Sequence, residues 1–302
     1  MSSEDHNETT IMRGADNVMQ VQPPENAKIG IVNSGGGIGD KIQFTSMPEN
    51  YYYSFGKKLV DLQHLWVYDH NPYVERLGPN NGGVMDGTVG VAIDLYKNQL
   101  FFKEGDKPCI GLIKFQDEKS YVSQPDRFKQ LFSISRVRLR HPRLYRFEEL
   151  QGEKLGIVTV HTTGKSEGGE MPDHVIDQIA QNYKSYSIYQ VGGSSDKDTP
   201  FIDRRGLGMW ESAQLIASSQ IFIGVNSSMM NIAQCYPRVN RKLILIENNE
   251  SLKTSHFDSY KPLCQYLEDD ESEVSSMWVD YNWQYYNVHD HDMGITYSYK
   301  KL

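Results

Sequence analysis

Cysteine is scarce in this chain of 302 residues: Cys109, Cys235 and Cys264 are odd in number and far apart. That usage excludes a disulfide framework and a thiolate metal site, and it suits a reducing compartment, so a cytoplasmic protein is expected. No apolar run approaches the roughly 20 residues needed to cross a bilayer. The polar, acidic start MSSEDHNETT lacks the basic-then-apolar order of a secretory signal. Positive charge is also short, with 31 Lys and Arg against 39 Asp and Glu and a formal net charge of -8. Nucleic acid is therefore not expected as a partner, since such binding needs clustered positive charge. What the chain does have is an ordinary hydrophobic share of 38% and 23% charged residues, the composition of a folded protein. Its 19 Tyr stand out; amphipathic rings suit polar ligands such as sugars and equally fill half-buried positions.

Residues 1–26 are polar, end in Pro23-Pro24 and read as a flexible arm. From there the pattern alternates. KIGIVNS, KKLVDLQ (57–63) and VGVAIDLY (89–96) read as strands separated by helix and turn signals. A basic segment, Ser135 to Phe147, precedes the polar EELQGEK and marks a boundary near residue 150. The second half restarts the rhythm. KLGIVTV (154–160) reads as a strand and MPDHVIDQIAQNYKSY (171–186) as a helix with Pro172 early in its first turn. SIYQVGG, QIFIGVNSS and KLILIEN read as strands, with MWESAQLIASS and MMNIAQCYP as helices between them. Alternation at this spacing builds a parallel sheet covered by helices. The expected fold is α/β, with two Rossmann-like domains, 27–150 and 151–302, facing a cleft. The tail beyond residue 265 is acidic and then aromatic, and is expected to pack back on the domains.

Four loops at the carboxyl ends of strands, where open parallel sheets bind ligands, carry the candidate chemistry. The first holds Gly35, Gly36, Gly37 and Gly39 and then Asp40 at the start of a helix. Bare backbone before a helix N-terminus admits an anion. Neither the dinucleotide fingerprint nor the P-loop fits, because Asp40 stands where each needs another residue. Asp40 is either a helix cap or a general base that deprotonates an acceptor hydroxyl, and the sequence leaves both open. In the second half, Thr162, Thr163 and Lys165 follow a strand and offer hydroxyls and charge. Gly192 and Gly193 end the next strand, where a nucleobase can lie on bare backbone, and Asn226, Ser227, Ser228 and Met229 open a helix whose amides suit a phosphate. Asp196 and Asp198 form a D-x-D, and His289 to Asp292 a second acidic–imidazole cluster, but chance acidic loops account for both and no metal is expected. His161 and His141 read as hydrogen-bonded structural histidines.

Together these stretches resemble the GT-B glycosyltransferases, and within them family 9, the ADP-heptose:lipopolysaccharide heptosyltransferases. GGIGDKIQFTSMP is similar to that family's glycine-rich GDxLxxTP start. VTVHTTGKS, YQVGG and DRRG…ESAQLIASSQIFIGVNSSMMNIA resemble its second half, where the family reads VGvDSGpmH for IGVNSSMMN. The resemblance implies inverting, metal-independent transfer from a nucleotide-diphosphate sugar to a glycan or lipid-linked glycan acceptor, within surface glycan biosynthesis. The nucleotide sugar is then a substrate, and no resident cofactor is implied. Asp40 matches the family's base. Gly37, Gly39, Thr162, Thr163, Lys165, Gly192, Gly193 and the turn from Asn226 to Met229 match its donor site. The departures are Asn226 and Asn231 in place of the family's Asp and His, and Gly169 in place of its Lys. Two other readings fit a GT-B shape: a non-catalytic nucleotide- or sugar-binding protein, and a nucleotide-sugar epimerase. The basic segment allows a peripheral contact with an anionic acceptor or membrane surface.

Overall fold

The computed structural model describes residues 10–13, 19–22, 28–32, 35, 37–77, 89–94, 96–97, 99–104, 106–112, 131–132, 134, 142–147, 150, 154–164, 170–225, 227–236, 242–247, 283–287 and 297–299. The chain divides into two compact units, Met1–Arg140 and His141–Leu302, so the division falls inside the basic segment. The end of that segment belongs to the second unit by contact. Arg146 lies 4.7 Å from the Phe147 ring centroid and 5.2 Å from that of Trp210, so a cation–π stack ties it to the second unit.

In the first unit, β1 (Thr10–Arg13) and β2 (Met19–Gln22) pair as an antiparallel hairpin within the stretch expected to be a flexible arm. Then follow β3 (Ile29–Val32), α1 (Ile38–Gln43), α2 (Met47–Phe55), β4 (Leu59–Asp61), β5 (Val74–Arg76), β6 (Val91–Asp94), β7 (Gln99–Glu104) and β8 (Lys107–Leu112). The sheet order is β5-β4-β3-β6-β7-β8, with the first four strands parallel and the last two antiparallel. β3, β4 and β6 are buried and mainly apolar, as parallel strands covered on both faces are, whereas the edge strand β5 carries Glu75 and Arg76 and is only partly buried. Gly56 ends α2 in the left-handed region at φ 69°, where its N–H reaches Tyr52 O at 2.7 Å. The strand expected over 57–63 is shorter, because the Asp61 carboxylate takes the N–H groups of Gln63 and Leu65 at 3.0 and 2.8 Å and turns the chain.

The second unit runs β9 (Lys154–His161), α3 (Asp173–Asn182), β10 (Ser187–Gln190), β11 (Ile202–Asp203), α4 (Met209–Ser218), β12 (Ser219–Val225), α5 (Ser228–Gln234), β13 (Lys242–Glu247), β14 (Trp283–Asn287) and β15 (Tyr297–Tyr299). The order β11-β10-β9-β12-β13-β14-β15 is parallel up to β14 and antiparallel at β15. Chain order thus runs outward from β9 to β11 on one side and from β12 on the other, so the sheet reverses between β9 and β12. That reversal is the switch point of a doubly wound fold. The aromatic part of the tail supplies β14 on β13. Pro172 sits at the cap of α3 and not inside its first turn, its carbonyl accepting from Val175 and Ile176 N–H at 3.1 and 3.2 Å.

The core of this unit follows from two periodicities. Val158 and Val160 of β9 alternate toward one face, as do Ile221, Ile223 and Val225 of β12. Val175, Ile176 and Ile179 form the matching stripe on α3, and Met171 closes the layer. Ile176→Ala should therefore cost about 2–4 kcal/mol, read from denaturant unfolding of the full chain. A loss below about 0.5 kcal/mol would show that α3 does not bury this face against the sheet.

Candidate functional site

In the first unit the glycine-rich loop follows β3, beside the carboxyl end of β6. A Cβ on Gly35 would stand 2.5 Å from the Tyr96 ring, so glycine there lets that ring lie against the loop backbone. The ring's own turn is held by Asp94, whose Oδ1 accepts the N–H groups of Tyr96 and Lys97, both at 3.1 Å. Gly37 is the extended cap of α1, and its N–H donates to Asp40 Oδ2 at 2.7 Å. The capping role of Asp40 is thus observed, exercised from the helix's third position, and it fixes the direction of a half-buried carboxylate. Gly39 is the second residue of α1. Gly36 lies outside the described residues.

In the second unit, the carboxyl ends of β9, β10 and β12 converge on one imidazole. His161, the last residue of β9, is 4% exposed, and Asp196, from the loop after β10, is 5% exposed. Nε2 of His161 lies 3.2 Å from Asp196 Oδ2, and Nδ1 lies 2.8 Å from Ser227 Oγ, at the turn after β12. Ser227 also caps α5, accepting from Met230 N–H at 3.4 Å. Gly192 explains how the carboxylate reaches the ring. Its φ is 135°, and a Cβ there would fall 2.1 Å from Asp196 Oδ2 and 2.6 Å from His161 Cδ2. Gly193 donates its N–H to the same Asp196 oxygen at 2.8 Å.

A second polar cluster lies beside the first. Gln190 Nε2 donates to Thr162 Oγ1 at 3.1 Å and to the Lys197 carbonyl at 2.6 Å, while its Oε1 accepts from Thr199 Oγ1 at 2.7 Å. Thr163 Oγ1 accepts from Lys197 N–H at 3.3 Å. Thr162 is fully buried and Thr163 half-buried, so of the two only Thr163 faces outward. Lys197 Nζ pairs with Asp173 at 2.7 Å and Glu170 at 3.1 Å, and these carboxylates raise its pKa, Asp173 foremost. It thereby ties Glu170 and the start of α3 to the loop after β10; Lys165 and Asn226 lie outside the described residues. Ser228 and Met229 begin α5, Met229 buried.

The two carboxylates of the D-x-D part company. Asp196 turns inward to His161, and Asp198 turns outward to Arg205 at 2.7 Å. Arg205 also grips Asp203 through Nε and NH2, both at 3.0 Å, and its hydrogen bond holds that carboxyl down at about 2. Among the described residues no group of three or more His, Cys, Asp or Glu is placed to share a metal ion; His289 to Asp292 fall outside them. His161 reads from the sequence as a hydrogen-bonded structural histidine, and here it is buried and bonded to Ser227; Asp196 reads as half of a D-x-D, and its pairing with His161 is what the sequence does not join. The available signal was a histidine closing one strand and a Gly-Gly-x-x-Asp closing the next, read together.

Two measurements check this geometry. Gly192→Ala should cost about 1–3 kcal/mol through its backbone angle alone, with the His161–Asp196 contact broken besides; unchanged unfolding would contradict it. The Asp203 carboxyl should titrate near 2 by NMR and return toward its ordinary value in Arg205→Ala. Because its pKa is lowered in the folded state, the stabilisation from this pair is complete above the ordinary carboxylate value and drains away as pH falls toward 2.

No family model matches the chain, and no curated protein does either. Solved structures do resemble it. A glycosyl transferase of family 9 from Veillonella parvula superposes with a TM-score of 0.53 at 11% identity, covering 83% of this chain and 92% of that one. The dodecameric iron-containing heptosyltransferase TibC, from enterotoxigenic E. coli and in complex with ADP-D-β-D-heptose, superposes with a TM-score of 0.51 at 13% identity. That match covers 76% of this chain but only 60% of TibC. At these identities the likeness is one of fold, and in fold this chain is similar to the family 9 glycosyltransferases of the GT-B class.

Proposed function

We propose that this chain is a glycosyltransferase that moves a sugar from a nucleotide-diphosphate sugar to a hydroxyl acceptor, with inversion and without a metal. The observation that carries this reading is the meeting of polar loops at the switch point between β9 and β12, in a sheet whose fold resembles donor-sugar enzymes. In this reading the two units face each other across a cleft. The second holds the donor through Thr163, Lys165 and the turn from Asn226 to Met229, with Thr162, Gly192 and Gly193 shaping the loops behind. The first unit presents the acceptor to Asp40 across Gly37 and Gly39. Asp40 takes the acceptor hydroxyl's proton as the oxygen attacks the anomeric carbon. The carbon–oxygen bond to the diphosphate breaks on the opposite face, and the nucleoside diphosphate leaves with the electron pair. Direct displacement inverts the anomeric centre. The charge that gathers on the leaving group is met by backbone amides, a hydroxyl and the Lys165 ammonium. Surface glycan synthesis in the cytoplasm is the setting that fits; among the described residues no helix is long and apolar enough to cross a membrane.

One observation favours a second reading, that the fold binds a nucleotide sugar without transferring it. Asn231, which stands where the family carries histidine, is 7% exposed and donates through Nδ2 to the Ser227 carbonyl at 3.1 Å. Its side chain thus serves its own helix. Asp40→Asn separates the readings, because asparagine still accepts the Gly37 N–H but takes no proton. Transfer should fall about 10²–10⁴-fold while sugar-nucleotide binding stays unchanged. Transfer at the native rate in that variant would remove Asp40 as the base.

A further inference from the structure

The Asp196 carboxylate lies 3.2 Å from His161 Nε2 as an ion-pair contact, and a carboxylate, which has only lone pairs to offer, favours a hydrogen on that nitrogen. The state of the ring then rests on Nδ1, 2.8 Å from Ser227 Oγ. In a neutral ring Nδ1 has only a lone pair, and the serine O–H donates to it. In a protonated ring Nδ1–H donates, and the serine hydrogen is released toward another acceptor. The serine oxygen stays seated in both states, because it also accepts the Met230 N–H at 3.4 Å. One proton on His161 therefore selects between two settings of the Ser227 hydroxyl.

We propose that His161 is a positioning residue for the donor's diphosphate: as the ring takes up a proton, it turns the Ser227 O–H onto a phosphate oxygen. This rests on the donor reading above, and His161 acts through Ser227 without touching the substrate. Among the described residues the charged groups around the ring come from the loop after β10. Asp196 faces Nε2, and behind it Arg205 donates to the Asp196 carbonyl. β12 and α5, on the other side, contain no charged residue and present Ser227. Lys165, in the loop after β9, lies outside the described residues. A diphosphate beside Ser227 stabilises the imidazolium, and by linkage the imidazolium strengthens diphosphate binding by the same factor.

The test is calorimetry with UDP-glucose, ADP-glucose and GDP-mannose, whose doubly esterified phosphates have no second proton of their own to gain. Affinity for the sugar nucleotide that binds should rise about fivefold or more as the pH is lowered, with net proton uptake in buffers of different ionisation heat. Ser227→Ala and His161→Gln should each flatten that profile and abolish the uptake. A purely structural role predicts weaker binding at every pH with the slope retained, and an unchanged slope in Ser227→Ala overturns the proposal. If His161→Gln does not fold, Ser227→Ala, which removes one hydroxyl at a half-buried cap, decides alone. Failure of all three compounds to bind the native chain overturns the donor reading itself, and the proposal with it; pH-independent binding overturns only the proposal.

Discussion

A buried imidazole held from both sides is the constraint on which the second unit's functional edge depends. Asp196 is almost wholly removed from water, and a carboxylate there survives only with partners. His161 Nε2 and the Gly193 N–H supply them at 3.2 and 2.8 Å. The demand propagates outward. Gly192 must be glycine so that the carboxylate can cross it, and the loop folds back so that Gly206 N–H reaches Gly192 O at 2.8 Å. Arg205 closes the loop by donating to the Asp196 carbonyl while gripping Asp203 and Asp198. Through Nδ1 the same ring reaches Ser227 and so sets where α5 begins. Breaking one contact therefore disturbs three strand ends.

The two units meet the same structural problem. A parallel sheet leaves backbone donors at the carboxyl ends of its strands, and some group must accept them. In the first unit aspartates do so: Asp61 as the last residue of β4, Asp94 as the last residue of β6, and Asp40 in the first turn of α1. Burial pushes the Asp61 carboxyl upward, against the pull of the Gln63 and Leu65 amides and of Arg76. In the second unit Asp196 accepts the Gly193 N–H in the same way, while Gln190 works in the opposite direction and donates to the Lys197 carbonyl.

Much of this was legible in the sequence. Buried parallel strands announce themselves as short apolar runs, and IGIV, VAID and IFIGV lie where periodicity places them. The ends of elements are less legible, because Pro172 at the start of α3 and Asp61 at the end of β4 act through backbone geometry and side-chain hydrogen bonds, which pattern alone does not place. The hairpin at residues 10–22 carries no strong apolar signal and was read as arm. In the site, the loops were visible but not their wiring. Gly192 was read as a floor for a nucleobase, whereas its bare side accommodates Asp196 and His161. Asp196 was read with Asp198 as a pair, although alternate residues in a loop have no reason to face one way. Contacts between loops 30 to 66 positions apart, such as His161 with Ser227, leave no local signature.

Hydrogen exchange of the full chain with and without a sugar nucleotide tests most directly whether this edge holds the donor. Protection should appear together at residues 161–164, 190–197 and 227–231, unaffected by EDTA, when UDP-, ADP- or GDP-sugar binds. Protection confined to other segments, or its loss on removing divalent ions, would contradict the account.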